Sequence, residues 1–481
     1  MPGLDSYRPR LEGLLREIAT AHGVPGAVCG VLLNGETAVA TTGVANVAIG
    51  VEVTPDTLFQ IGSITKLYTT TLVMQAHTAG VLALDEPVRA QLQEFSVADP
   101  GATLEITPRH LLTHTSGIAG DHLLDTGANG DALRLYVATL PGLGQIHAPD
   151  ETHSFCNTGF GVAGRLLEDI GGGDFDRVLR RRLIRPLGCT ASLTLPQHML
   201  LRRVAVGHEQ VPGGEPTRQA RWTLTRSNGP MGGIVCSAED LLTFVRIHLE
   251  GGRGADGAEI LTAAAVELMK EPQCETPIPG QEQALGWTRR RWGDAVCLGQ
   301  DADTFGQRAF LRVVPERGFA TCLFVNSPLG EAVARDVMPR LAGDLLDVDV
   351  GPWPQAASPA EGTEPGFDRS PYVGSYSRLH QRVVVAEASG NGLMLTTEPS
   401  GVLAALGDRR AAAPLRSLDP AHGTFVMTDP TTGVDQIVVF DRYRFRLDEN
   451  ADGAVVGSGS TRRRRLARSL HLAGRLHTRT A

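Results

Sequence analysis

Lysine is almost missing from this chain: two of its 45 basic residues, Lys66 and Lys270, are lysine and the other 43 are arginine. Aromatic residues are also scarce, at 5%. No uninterrupted apolar run reaches the length of a membrane span. The first residues, Met1-Pro2-Gly3-Leu4-Asp5, lack the basic-then-apolar order of a secretory leader, so a cytoplasmic protein is expected. The seven cysteines are odd in number, scattered and without paired metal-ligand spacing, and read as reduced thiols. A formal charge of −8 argues against nucleic acid as the main partner. Asp448-Glu449-Asn450-Ala451-Asp452 lacks the full spacing of a calcium loop, so no metal and no cofactor are expected.

What is present points to two domains. At 481 residues the chain exceeds one ordinary core. Leu11, Leu14, Leu15 and Ile18 recur at helical spacing over residues 7–22. Strands are expected over Ala27 to Leu33 and Thr37 to Gly43, around the turn Asn34-Gly35. A helix is expected to open at Ser63 and stop at Gly80. Strands return at Ala309 to Val314 and Phe319 to Asn326, followed by a helix from Glu331 to Leu346. Strands from both ends of residues 1–350 then share one antiparallel sheet, with a helical insert between them. Residues 351–367, rich in Pro, Ala, Gly and Glu, read as a linker. Residues 368–460 read as a small antiparallel barrel, with short alternating runs at Tyr372 to Ser377, Arg382 to Glu387, Leu393 to Thr397, Thr424 to Thr428, Gln436 to Phe440 and Tyr443 to Leu447 and a turn at Gly390-Asn391-Gly392. Residues 461–481 are arginine-rich without acids and read as a flexible basic tail.

One of the two lysines lies three residues after a serine, in Gly62-Ser63-Ile64-Thr65-Lys66. Residues three apart on a helix share a face, so Ser63 and Lys66 are expected within hydrogen-bonding reach. Arginine stays protonated in proteins, whereas a desolvated lysine gives up its proton and serves as a base. Ser63 supplies a nucleophilic hydroxyl, and its backbone N–H, unpaired at a helix start, is a donor for an oxyanion. Ser-x-x-Lys alone occurs by chance in many proteins, as an N-cap serine beside a solvated lysine.

The surroundings change that balance. Phe59-Gln60-Ile61-Gly62-Ser63-Ile64-Thr65-Lys66 resembles the nucleophile segment of the serine β-lactamase and penicillin-binding-protein family, most closely the class C β-lactamase and esterase branch. Gly80 to Pro87, Ile106 to Gly117, Pro186-Leu187-Gly188, Gly232 to Leu241 and Leu285-Gly286-Trp287 resemble further family segments in the expected order. The resemblance implies an α/β fold, a β-lactamase-like sandwich of antiparallel sheet and helices, and a covalent acyl-Ser63 with Lys66 as base. The small barrel resembles the lipocalin-like domain of some peptide-cyclising thioesterase relatives.

Two departures from the family pattern bear on the chemistry. Ser154-Phe155-Cys156-Asn157 fills the Tyr-x-Asn slot, so Phe155 stands where a phenol assists proton transfer, and Asn157 is left to orient Lys66. Phenylalanine has no hydroxyl to exchange a proton. Gln300-Asp301-Ala302 fills the Lys-Thr-Gly slot, which places Gln300, Asp301 and Ala302 with Phe155 on the substrate side. In that register Asp303 provides the second oxyanion N–H. His153 reads as a polar group on a surface loop, Cys156 as a packed thiol, His114 as a maker of fixed hydrogen bonds and Tyr68 as a core side chain. Arg289-Arg290-Arg291 reads as a solvated run.

The expected protein is a cytoplasmic serine acyltransferase or esterase of specialised metabolism, passing an acyl group from an ester or thioester to an amine or water. Its substrate is a small-molecule or peptide acyl donor, free or carrier-bound, and neither nucleic acid nor a membrane is an expected partner. The rival reading is a catalytically impaired relative that binds a ligand in the same cleft.

Overall fold

A computed structural model describes all residues except 1–2, 221–223, 352–368, 389–391, 406–409, 420–422, 434, 442–468, 473–474 and 481. The chain divides into two compact units near residue 353. Among the described residues no helix is long and apolar enough to cross a membrane. The linker at 351–367 (all but Gly351), the turn residues Gly390 and Asn391, the strand Tyr443 to Leu447, the acidic run Asp448 to Asp452 and the arginines 462–465 and 468 lie outside the described residues.

The first unit is built on a nine-stranded antiparallel sheet. It opens with helix α1 (Leu4–Ala21) and strands β1 (Gly26–Leu33), β2 (Glu36–Asn46) and β3 (Val51–Glu52). Six later strands complete it: β4 (Cys274–Glu275), β5 (Gln281–Gln283), β6 (Thr288–Trp292), β7 (Ala295–Thr304), β8 (Gln307–Val314) and β9 (Phe319–Val325). The spatial order is β3-β2-β1-β9-β8-β7-β6-β5-β4, so the first and last strands of the unit are neighbours, Ala27 opposite Val325. Both ends of the domain meet in one sheet, as the alternation at residues 27–43 and 309–326 implied. The polar stretch 274–304 adds β4 to β7, which sequence patterning did not show. Its arginine run lies in β6: Arg289 pairs with Glu282, Arg290 donates to Gln281 Oε1 at 3.3 Å, and Arg291 bonds the Asp294 carbonyl.

One sheet face is covered by α1 and by helix α5 (Gly330–Leu346). Leu11, Leu15 and Ile18 of α1 meet Val333, Val337 and Leu341 of α5 in a single buried cluster with Cys29, Val31 and Leu323 of the sheet. Each such side chain contributes about 1.5–3 kcal/mol by leaving water. Helix α4 (Ala238–Leu249), capped by the Ser237 hydroxyl, which accepts from the Asp240 N–H, lies on the other face. There Gly30 allows close approach, since a Cβ on it would stand 2.9 Å from Cys322 Sγ and 3.1 Å from Leu242 Cδ1.

Between the outer strands runs the helical insert. Helix α2 (Thr65–Thr78) is buried on nearly all sides, so it is a core helix rather than an amphipathic surface one. Two of its hydroxyls are satisfied within the helix: Thr70 Oγ1 donates to Lys66 O and Thr71 Oγ1 to Leu67 O, both at 2.8 Å. Helix α3 (Asn157–Gly171) packs beside it and ends at Gly172 in the left-handed conformation, φ 64°.

The second unit is a closed barrel of eight antiparallel strands: β10 (Gly374–Arg378), β11 (Gln381–Ala388), β12 (Gly392–Pro399), β13 (Ala411–Asp419), β14 (Thr424–Thr428), β15 (Asp435–Asp441), β16 (Ser469–Leu472) and β17 (Arg475–Thr480). Its interior holds Tyr372, Tyr376, Phe425 and Phe440, with Tyr372 edge-on to Phe440 at 4.9 Å. The barrel does not end at residue 460. Residues 469–472 and 475–480, read from sequence as flexible tail, form the last two strands and close it against β10. Leu470, Leu472 and Leu476 are buried there, an apolar alternation masked by the surrounding arginines.

Candidate active site

Ser63 lies in a short 3-10 turn, Gly62–Ile64, immediately ahead of α2 rather than inside it. Gly62 makes that turn possible. Its φ is +43°, and a Cβ there would stand 2.8 Å from Thr304 Cγ2 and 3.1 Å from Ala302 Cβ. Only glycine lets the Ser63 turn lie this close to β7 with this backbone.

Lys66 follows in the first turn of α2 and is fully buried, at 0% exposure. Its Nζ is 2.9 Å from Ser63 Oγ and donates to Met231 O at 2.8 Å. Above the amine lie two phenyl rings, Phe155 with its centroid at 4.8 Å and Phe160 at 5.5 Å. The Phe155 ring is in turn 4.5 Å from the ring of His114. His114 has φ +61°, accepts from Cys156 N–H at Nδ1 (2.9 Å) and from Ser154 N–H at its carbonyl (2.9 Å). These bonds fix the segment carrying Phe155, as a structural histidine would.

Asn157 is the first residue of α3, and its Nδ2 donates to Asp121 Oδ1 at 2.9 Å. Gln300 Nε2 reaches the Ser63 carbonyl at 3.5 Å, a long and weak contact that places Gln300 beside the serine. Ala302 faces Gly62. The Asp301 side chain is committed to Arg312 and flanks the opposite side of the strand. Desolvation pushes the Asp301 carboxyl up, but Arg312 and Arg290 outweigh it and hold the carboxyl below its ordinary value.

The position of Asp303 follows from strand geometry. β7 and β8 are joined by the two-residue turn Phe305-Gly306, with Thr304 opposite Gln307. Two residues facing each other across such a turn exchange both backbone bonds, so the next pair, Asp303 and Arg308, points its N–H and C=O outward. β6 covers β7 only as far as Gly299, which leaves that outward edge open. The Asp303 carbonyl oxygen is 3.5 Å from where a Gly62 Cβ would sit. The Asp303 N–H lies on that same open edge of β7, beside the Ser63 turn.

The remaining residues weighed from sequence have settled surroundings. His153 is buried rather than exposed; its ring lies 5.6 Å from that of His114, and desolvation pushes it down to about 4, so it is uncharged near neutral pH. Cys156 is a packed thiol whose Sγ donates to Ile118 O at 3.4 Å and accepts from Gly159 N–H at 3.3 Å. Tyr68 stacks on Phe244 at 3.6 Å in the core. Asp121, Phe160 and the Met231 carbonyl are additions that no local sequence pattern marked.

Comparison with known proteins places the family and the fold. Residues 11–343 match the family described as Beta-lactamase. Penicillin-binding protein 4 of Amycolatopsis lactamdurans is 37% identical over 366 residues, covering 75% of this chain and 95% of the relative. Among solved structures, SurE with D-Leu superposes with a TM-score of 0.75 at 26% identity, covering 99% of this chain and 100% of that one. A class C β-lactamase from Rhodobacter sphaeroides shares the fold of the first unit, with a TM-score of 0.57 at 23% identity over 69% of this chain and 99% of that one.

Proposed function

The chain belongs to the β-lactamase family of serine hydrolases, and from that premise we propose that it is a serine acyltransferase or esterase working through an acyl-Ser63 intermediate. The observation that carries the reading is the 2.9 Å contact between a fully buried Lys66 amine and the Ser63 hydroxyl. A buried amine is penalised for carrying charge, and this one faces the hydroxyl it would deprotonate.

In the proposed reaction Ser63 Oγ attacks the acyl carbon of an ester or thioester as its proton passes to Lys66 Nζ. The negative charge that develops on the acyl oxygen is met by the N–H groups of Ser63 and Asp303. The bond to the leaving alcohol or thiol breaks, and Lys66 returns the proton to that group. An amine or a water then attacks acyl-Ser63, gives its proton to Lys66, and Ser63 recovers its own. Asn157 and Gln300 border the path of the acyl group. Phe155 contributes shape and excludes water but no proton.

The substrate class we propose is a small-molecule or peptide acyl donor, free or carrier-bound. The complex of SurE with D-leucine supports an amino-acid-derived substrate, because that likeness spans both units. The cytoplasm and specialised metabolism are the proposed setting, supported by seven unpaired cysteines and the appended barrel.

A specific observation favours a second reading. Phe155 occupies the place of a proton-transferring phenol, and loss of such a group typically slows a reaction by about 10²–10⁴-fold. On that reading the protein binds a ligand in the cleft without turnover. Intact-protein mass after exposure to an activated ester or a β-lactam decides between them. An adduct on the wild type that is absent from Ser63→Ala supports the enzyme, and no adduct with either reagent supports the binder.

A further inference from the structure

Asp121 has no part in the chemistry above, yet it is 2% exposed and lies against the segment that carries Phe155 and Asn157. Close backbone approach brings it there. A Cβ on Gly120 would stand 2.5 Å from the Phe155 carbonyl oxygen and 3.2 Å from Cys156 Cα. Thr158 N–H donates to Gly120 O at 3.0 Å, and its hydroxyl donates to Ala119 O at 2.7 Å. The His122 N–H reaches Thr158 Oγ1 at 3.4 Å. Residues 119–122 are thereby stitched to the first turn of α3, a helix end that favours a neighbouring negative charge.

The bond from Asn157 Nδ2 to Asp121 Oδ1 also sets the amide orientation. A carboxylate only accepts, so Asn157 turns its NH₂ towards Asp121 and its oxygen away. Cys156, next to Asn157, feels the charges on both sides. Burial pushes its thiol up to about 11, with Asp121 adding to the rise and Lys66 opposing it. Phe155, two residues before Asn157, lays its ring 4.8 Å from the Lys66 amine, so the segment that Asp121 tethers borders that amine, and in such low-dielectric surroundings a nearby carboxylate favours an ammonium.

Resting on the reading that Ser63 and Lys66 are the acylating pair, we propose that Asp121 is a positioning residue and the electrostatic third member of the site. Its buried carboxylate, tethered through Asn157, stabilises the Lys66 ammonium formed when Ser63 gives up its proton. The logic is that of a hydroxyl, a base and a carboxylate in series. At each step the proton moves between Ser63 Oγ, Lys66 Nζ and the leaving or entering group, and Asp121 neither gains nor loses one. Charge from Asp121 thus offsets part of what a phenol at position 155 would supply by proton transfer.

The scarcity of lysine makes the test direct. Protein labelled with ¹³C-lysine gives signals from two lysines only, Lys66 and Lys270. Lys270, bonded to Glu267 at 2.8 Å, is the internal reference, and Lys270→Arg assigns the pair. The Lys66 signal is titrated in the wild type and in Asp121→Asn, which keeps an oxygen for the Asn157 NH₂. Cys156, His114, His153 and His122, the other titratable groups beside the Phe155 segment, are the same in both proteins. A carboxylate favours the ammonium, so its removal is expected to lower the Lys66 midpoint by roughly 1–3 pH units while Lys270 stays put. The acid limb of single-turnover acylation should move the same way, with a plateau lowered tenfold or more. An unmoved Lys66 midpoint in a variant that unfolds at the wild-type temperature overturns the proposal. Asp121→Ser carries the same expectation if Asp121→Asn does not fold. The titration needs no acyl donor, so an unacylated wild type would count against the proposed function alone.

Discussion

Phe155 presents its ring to the Lys66 amine at 4.8 Å, on a chain where nearly every other cation is arginine. The amine is thus enclosed by phenyl faces, the Ser63 hydroxyl and a carbonyl, and the side chain at 155 adds no exchangeable proton. The electrostatic attraction of an ammonium to ring faces, about 0.5–2 kcal/mol, favours a positive charge at this position.

Lys66→Arg tests the base. Arginine keeps a positive charge and a long stem but does not accept a proton near neutral pH. Formation of the Ser63 acyl adduct is expected to slow by about 10²–10⁴-fold, read by intact mass over time. A variant that folds and acylates at the wild-type rate would remove Lys66 from the mechanism.

Phe155→Tyr tests the missing phenol. A hydroxyl beside Lys66 restores a proton-exchanging group, and hydrolysis of a simple ester should rise, by up to about 10²-fold. Parallel assays of hydrolysis and of transfer to an added amine separate two roles for the phenyl ring. Flat hydrolysis with lost amine transfer would show that the ring selects the acceptor.

Gly62→Ala tests how the serine is held. The added methyl meets Thr304 Cγ2 at 2.8 Å, and the residue keeps a φ of +43° that alanine disfavours. The strain should cost about 1–3 kcal/mol, seen as a lower melting temperature together with slower acylation. Adding Thr304→Ser removes the colliding methyl and should recover part of the loss. The share that stays lost measures the backbone conformation alone.

Much of this architecture was legible because the signals were local and periodic. Leu11, Leu15 and Ile18 announced a helix, Asn34-Gly35 a hairpin, and Gly62-Ser63-Ile64-Thr65-Lys66 a turn that brings serine and lysine within hydrogen-bonding reach. Strand β13, Ala411–Asp419, escaped because its alanines and Pro414 disfavour strands, and it is held by its neighbours in the barrel instead. The strands at 469–480 were hidden by the arginines that precede and flank the buried leucines, among them Arg468, Arg475 and Arg479. Asp121 was invisible for a different reason. Its role depends on a glycine-mediated contact between segments 36 residues apart, and one carboxylate after a Thr-Ser-Gly turn carries no pattern. Asp301 shows the limit of reading a strand by register, because the pleat sends alternate side chains to opposite faces and its carboxylate pairs with Arg312.

Glu168 → Gln tests a titration built into α3. Glu168 accepts from Phe175 N–H at 3.0 Å, and burial pushes its carboxyl up to about 7, with Arg165 and Arg226 opposing that rise only in part. A carboxyl with a raised folded value binds its proton more tightly in the native state than in the unfolded chain. Between the unfolded value near 4.5 and the folded value near 7, stability therefore falls as pH rises, by a few kcal/mol at most. Glutamine keeps the oxygen that receives the Phe175 N–H and removes the charge. Urea unfolding at pH 5 and pH 8 should show a smaller loss of stability for Glu168→Gln than for the wild type, with the difference appearing at pH 8. Equal losses in the two proteins would mean that Arg165 and Arg226 already compensate the buried charge in full.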